Sequence, residues 1–126
     1  MLLNLTDISD EPLQGQISRQ IRAKILGGEL PAGEGLPSIR SLAREQHVSV
    51  ITVQRAYEHL LHEDLIHSRR GKGFFVSEIA KRQKKELAQQ RLLENLERPV
   101  QAAIAEGLSP VEIHQSVDKI IEKKND

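Results

Sequence analysis

The sequence contains no cysteine and no tryptophan, and its aromatic content is 2%, made up of Tyr57, Phe74 and Phe75. Without thiols there is no disulfide, no thiol nucleophile and no thiolate metal site. With so few rings, 126 residues make a modest core, enough for one domain or one small domain with an appendage. No uncharged apolar run approaches the ~20 residues of a membrane span. Met1 to Pro12 carries Asp7, Asp10 and Glu11 and no basic stretch, so it does not read as a signal peptide. The expectation is a soluble, cytoplasmic protein. Net charge is missing as well, since 18 Lys and Arg balance 18 Asp and Glu.

That balance hides an uneven distribution. Residues 1 to 11 hold three acids and no base, residues 12 to 85 hold 13 bases against 7 acids, a net of +6, and residues 86 to 126 hold 5 bases against 8 acids, a net of −3. Screening acts over ~10 Å, so the local sign governs anion binding more than the total does. A basic segment between acidic ones is compatible with nucleic acid, and equally with an ordinary solvated surface.

Leu13, Ile17, Ile21 and Ile25 recur every four residues after Pro12 and predict an amphipathic helix stopped by Gly27-Gly28. The stretch Leu30 to Pro37 reads as a loop from its Gly and Pro content. Ser38 is a good cap for a short helix with Ile39, Leu42 and Ala43 inward, and Ser49 for another in which Val53, Ala56, Tyr57, Leu60 and Leu61 form the buried stripe. The tight Gln46-His47-Val48 connection makes these two a helix-turn-helix or a plain helical hairpin. After Asp64 the period changes. Leu65 to Ser68 and Phe74 to Val76 read as strands around Arg69-Arg70-Gly71-Lys72-Gly73, a β-hairpin whose tip carries three cations and two glycines. Three helices followed by a basic hairpin is a winged helix-turn-helix.

Residues 79 to 126 read as helical. Leu93, Leu96, Val100 and Ile104 form one apolar stripe, which Pro99 is expected to break or kink, and Gly107 ends that segment. Ser109-Pro110-Val111-Glu112 is a capping box with proline in the first turn, and Ile113, Val117, Ile120 and Ile121 form the stripe of the last helix. Single stripes without aromatic residues cannot build a core, so a second copy is expected to cover them. The expected fold is therefore mainly α with a small β-hairpin: a winged helix-turn-helix in residues 1–77, then an all-α dimerisation tail in 78–126. No drug-sized pocket is expected within that tail. An effector, if one acts, is expected at the dimer interface or between winged domain and tail.

On the third helix the face away from the buried stripe carries Ile51, Thr52, Gln54, Arg55 and Glu58. Gln pairs with adenine, Arg with guanine, and apolar or Thr methyls touch the thymine methyl. Ile51 has no evident packing reason on that face, and a thymine contact would explain it. Val50, three residues before Val53, extends the buried stripe or faces outward. Tyr57 belongs to the core, its hydroxyl within possible reach of a phosphate. Ser38 and Ser49 cap their helices, and helix N-termini also offer N–H groups to phosphate. His59 and His62 are spaced i, i+3 but have no adjacent acid or third histidine, so no metal site is expected.

The order Pro12-Leu13, Gln16-Ile17, Leu30-Pro31-Ala32-Gly33, Leu36-Pro37-Ser38-Ile39-Arg40-Ser41-Leu42-Ala43, Arg55-Ala56-Tyr57 and Gly71-Lys72-Gly73-Phe74-Phe75-Val76 resembles the N-terminal domain of GntR-type bacterial transcription regulators over roughly residues 10 to 77. The short helical tail resembles the YtrA-like subfamily, in which a small dimerisation region replaces a large effector domain. The resemblance implies a DNA-binding role for Arg40 and assigns Gly71 and Gly73 to the wing. Many family members carry Arg where Val50 stands, and other branches carry it where Gln54 stands, so those arginine contacts do not carry over. The DNA-binding set expected here is Ser38, Arg40, Ser49, Val50, Ile51, Thr52, Gln54, Arg55, Arg69, Arg70, Gly71, Lys72 and Gly73.

The expected function is that of a dimeric repressor on a palindromic operator, with double-stranded DNA and a second copy as partners and no cofactor. The resemblance points to transport genes as targets. An activator, or a winged-helix protein-interaction module without DNA binding, is the alternative. No phosphate loop, paired-His metal motif or Gly-x-Ser-x-Gly elbow is present, which argues against an enzyme.

Overall fold

A computed structural model describes residues 1–125. The element order is α1 (Leu13–Leu26), α2 (Ile39–Gln46), α3 (Val50–His62), β1 (Ile66–Arg69), β2 (Gly73–Val76), α4 (Lys81–Ala105) and α5 (Pro110–Asn125). The chain forms two compact units, Met1–Lys85 and Glu86–Asp126. Among the described residues, no helix is long and apolar enough to cross a membrane.

In the first unit, Ile17, Ile21 and Ile25 of α1 are fully buried, as the four-residue repeat predicts, and α1 packs on α3, whose Val53, Ala56, Tyr57 and Leu60 are buried, while α2 packs on α3 and buries Leu42. Leu65, Ile66 and Val76 extend this core under the hairpin. Burying one such aliphatic side chain stabilises by about 1.5–3 kcal/mol. The few aromatic rings are used at the junction of α3 and β2, where Tyr57 meets Phe74 edge to face with centroids 5.1 Å apart.

Three turns rest on left-handed residues. Gly28 ends α1 at φ 86°, His47 ends α2 at φ 56° and Asp64 follows α3 at φ 59°. The His47 turn is a Schellman closure, with Val48 N–H donating to the Ala43 carbonyl at 3.0 Å. This closure sets the direction of α3 after α2.

β1 and β2 pair antiparallel, with Ile66 opposite Val76 and Arg69 opposite Gly73. The Leu30–Pro37 stretch, read as a free loop, is in part a third edge of this sheet. Gly33 N–H donates to the Val76 carbonyl (2.8 Å), Val76 N–H to Glu34 (2.9 Å), and Leu36 N–H to Phe74 (2.9 Å). Glycine and proline content marks a segment as irregular but is silent on where its backbone hydrogen bonds go.

The segment before α1 is also tied down. The buried Gln16 amide donates to the carbonyls of Thr6 (2.9 Å) and Glu11 (2.8 Å) and accepts from Thr6 N–H (2.9 Å). Gln20 exchanges a similar pair with Asn4.

The expected break at Pro99 is absent, for α4 runs unbroken from Lys81 to Ala105 with Pro99 inside it. Proline removes the bond to the Asn95 carbonyl and costs about 3 kcal/mol in a helix interior. α4 buries none of its residues, so water can take that carbonyl, and the flanking turns carry the helix through. It ends at Gly107 (φ 97°), where Leu108 N–H donates to Ala103 (3.0 Å). The capping box forms as spaced. Ser109 N–H donates to Glu112 Oε1 (2.9 Å) and Glu112 N–H to Ser109 Oγ (3.2 Å). The Ser109 N–H, with the Ser109 hydroxyl adding to it, holds the Glu112 carboxyl below the ordinary carboxylate range.

Candidate nucleic-acid interface

Ser38 opens α2 with extended backbone and accepts the Ser41 N–H at 3.1 Å. Ser49 opens α3 the same way, accepting the Thr52 N–H at 3.1 Å, and its hydroxyl also bonds Thr52 Oγ1 at 2.8 Å. Thr52 is thereby half-buried and drawn into the cap, off the exposed face. The amides of Val50 and Ile51 precede the capped one and have no intrahelical acceptor, as at any helix start.

The two faces of α3 have the same spacing. Val53, Ala56, Tyr57 and Leu60, at i, i+3, i+4 and i+7, are buried. Ile51, Gln54, Arg55 and Glu58, at the same intervals, are exposed. Gln54 Nε2 donates to Glu58 Oε1 at 3.3 Å, which leaves its second amide hydrogen and its Oε1 for another partner. Val50 does not extend the buried stripe, being 45% exposed. It lines a shallow cleft with Arg40, Ala43, Arg44 and Val48. Arg44, absent from the sequence-derived set, joins Arg40 there one turn further along α2. The i, i+4 spacing of the two arginines was the available signal.

Tyr57 does not present its hydroxyl outward. It donates to the Pro37 carbonyl at 2.7 Å, and burial, with the charge of Glu45 behind it, pushes the phenol well above its ordinary range. Its role is to tie α3 to the entry of α2.

At the hairpin tip, Lys72 N–H donates to the Arg69 carbonyl at 2.9 Å, and Gly71 and Gly73 take φ 74° and 102°. Side chains rarely adopt such values, so the glycines are required by the turn itself. Arg70 and Lys72 are exposed on it. Arg69 lies over the Phe75 ring at 4.7 Å, and His67 stacks on the same ring at 6.1 Å. The expected cations thus share one tip, with Arg69 anchored to its own strand pair.

The residues expected to pair two copies divide differently. Leu96, Val100, Ile113 and Val117 are half-buried, while Leu93, Ile104, Ile120 and Ile121 are exposed, together with Leu92 and Val111. Among the described residues no group of three or more His, Cys, Asp or Glu is placed to hold a metal ion.

A three-helix core, a capped second helix turning tightly into a third with one exposed polar face, and a basic two-stranded tip define a winged helix-turn-helix, a class that presents its third helix to the DNA major groove. Residues 13–76 match the family described as bacterial regulatory proteins, gntR family, and the chain belongs to that family. It is 30% identical to the HTH-type transcriptional repressor YtrA of Bacillus subtilis, over 99% of this chain and 100% of that one. A GntR family transcriptional regulator from Listeria monocytogenes has a similar structure, at TM-score 0.75 and 30% identity, covering 91% of this chain and 98% of that chain. So has a protein described as a transcriptional antiterminator from the same species, at TM-score 0.76 and 28% identity, covering 95% and 90%. The chain is a DNA-binding transcription regulator and not an enzyme.

Proposed function

We propose that the protein is a homodimeric repressor, in which residues 1–77 read the operator and residues 78–126 hold two copies together. The observation that carries the reading is the exposed Ile51-Gln54-Arg55-Glu58 face of α3, set directly opposite its buried stripe. Arg40 and Arg44 beside it, with Arg70 and Lys72 at the hairpin tip, supply the phosphate contacts. Repression is supported by the full-length similarity to a repressor.

Pairing is supported by the uncovered apolar side chains of α4 and α5, which a symmetric partner would bury. Two recognition helices related by a two-fold axis call for a palindromic operator with half-sites about one helical turn, ~34 Å, or a multiple apart. Such a protein works in the bacterial cytoplasm, and family resemblance points to membrane-transport genes as its targets. Selection of bound duplexes from random DNA, followed by footprinting on genes beside its own, tests the reading. A two-fold symmetric site over a promoter is the expected result, and a site without two-fold character overturns it.

A further inference from the structure

Ile51 is 59% exposed on the first turn of α3. It is β-branched, so it loses side-chain freedom in a helix, and here more than half of it stays in solvent. Nothing in the fold of this unit uses it. Its neighbour Val50 turns toward the cleft with Arg40 and Arg44, whereas Ile51 heads the face that continues through Gln54, Arg55 and Glu58.

A second feature of the same turn points the same way. The first turn of α3 holds no acidic side chain, as is also true of α1, α2 and α4, so its positive end is left open to an anion. A carboxylate there would repel a phosphate backbone. An apolar residue repels nothing, and the three remaining residues of the face are all polar. In the major groove thymine alone presents a methyl group, next to its O4 acceptor, so it is the one base that offers an aliphatic side chain an apolar partner of its own kind.

We propose that Ile51 reads the 5-methyl group of one thymine in each operator half-site. This rests on the DNA-reading function proposed above and adds a specificity residue to it. Gln54 and Arg55, one turn further along α3, read the adjoining base pairs by hydrogen bonds, so the thymine lies beside them at the N-terminal end of the contacted segment.

The experiment uses the full-length protein and the duplex it selects from random DNA. Each thymine of the half-site is replaced in turn by deoxyuridine, which keeps the base pair and removes only the methyl group. One position per half-site is expected to respond, with affinity falling about four-fold, the equivalent of about one buried methylene-sized group. Ile51→Ala is expected to bind the thymine and uracil duplexes equally, with unchanged sensitivity at every other position, and Ile51→Val to restore part of the discrimination. Thermal unfolding of both variants checks that the exposed substitution leaves the domain folded. A wild-type protein indifferent to every thymine-to-uracil change overturns the proposal, as does a sensitive position that stays sensitive in Ile51→Ala. In either case the selected duplex still upholds the DNA-reading function. If no duplex is enriched at all, both readings fall.

Discussion

Arg22 on α1 and Glu63 at the end of α3 stand 41 residues apart and form a two-pronged ion pair, with Nε donating to one carboxylate oxygen at 2.9 Å and an Nη donating to the other. The Arg22 side chain is 9% exposed. Another pair of the same type, Arg19 with Glu11, has its arginine side chain 55% exposed. The two should behave differently. Removing one partner of a buried pair leaves a desolvated charge and costs about 3–5 kcal/mol, whereas exposed pairs contribute about 0–1 kcal/mol. Since Glu63 keeps some solvent contact, Arg22→Ala is expected to lose about 2–4 kcal/mol in denaturant unfolding and Arg19→Ala under 1. Equal losses would refute the distinction.

His47 occupies a left-handed turn position that ordinarily costs a residue with a side chain about 1–2 kcal/mol. Glycine removes that cost but gives up about 0.5–1 kcal/mol of backbone entropy. His47→Gly is therefore expected to raise unfolding stability by about 0.5–1 kcal/mol, seen as a shift of the denaturation midpoint with unchanged slope. A loss would mean that the imidazole carries a contact at least as large as the strain.

If α3 and the hairpin tip face DNA as proposed, their cations should differ in what they affect. Lys72 at the hairpin tip is placed for phosphate, so Lys72→Ala should weaken all duplexes alike and lower the salt-dependence slope by about one per bound half-site. Arg55 on the reading face should instead relax preference at one base pair by about 1–3 kcal/mol. Titrations against matched and mismatched duplexes at several salt concentrations separate the two behaviours. Arg40→Ala is expected to weaken binding without unfolding the domain, and unchanged affinity would remove α2 from the interface.

If α4 and α5 hold the dimer, Leu93→Glu and Ile120→Glu in the full chain should shift sedimentation from dimer to monomer while the circular dichroism of the winged domain persists. A fragment of residues 1–77 should sediment as a monomer. A tight dimer of that fragment would move the interface elsewhere.

The capping box gives a pH dependence with a definite sign. The Glu112 carboxyl is held below its ordinary range by the Ser109 N–H and hydroxyl. Its contribution to α5 is full above the ordinary carboxylate value and is lost as pH falls through the depressed one. Ser109→Ala should move the Glu112 carboxyl resonance titration upward in NMR. An unchanged midpoint would show that the Ser109 hydroxyl adds nothing to the backbone N–H in holding the carboxylate.

What was legible in the sequence was local. Ser38, Ser49 and the Ser109–Glu112 box announce helix starts through side chains that bond within three residues, and the 53-56-57-60 stripe and the glycines of the hairpin follow from periodicity and turn chemistry. The exposed face of α3 could be read as the complement of that stripe. What stayed hidden depends on partners remote in the chain. Gln16 reads as an ordinary polar helix residue until the segment before α1 folds back onto it. Arg22 looks like a surface cation until Glu63 arrives beside it. Tyr57 could have aimed its hydroxyl anywhere, and the Pro37 carbonyl decided the matter. Pro99 does not break α4, because the turns on either side carry the helix through the one missing hydrogen bond.

The backbone of residues 33 to 36 occupies the outer side of β2. A two-stranded tip carried on an isolated hairpin would offer both margins to strands of other molecules, a route to uncontrolled polymerisation. With β2 closed by its own chain, only the β1 margin remains, and that margin is four residues long and ends in Arg69. Short length and a terminal positive charge both discourage a foreign strand. Crowding many copies along one stretch of DNA should therefore leave the tips separate, so that assembly of several copies, the proposed dimer included, must be built from surfaces other than the wing.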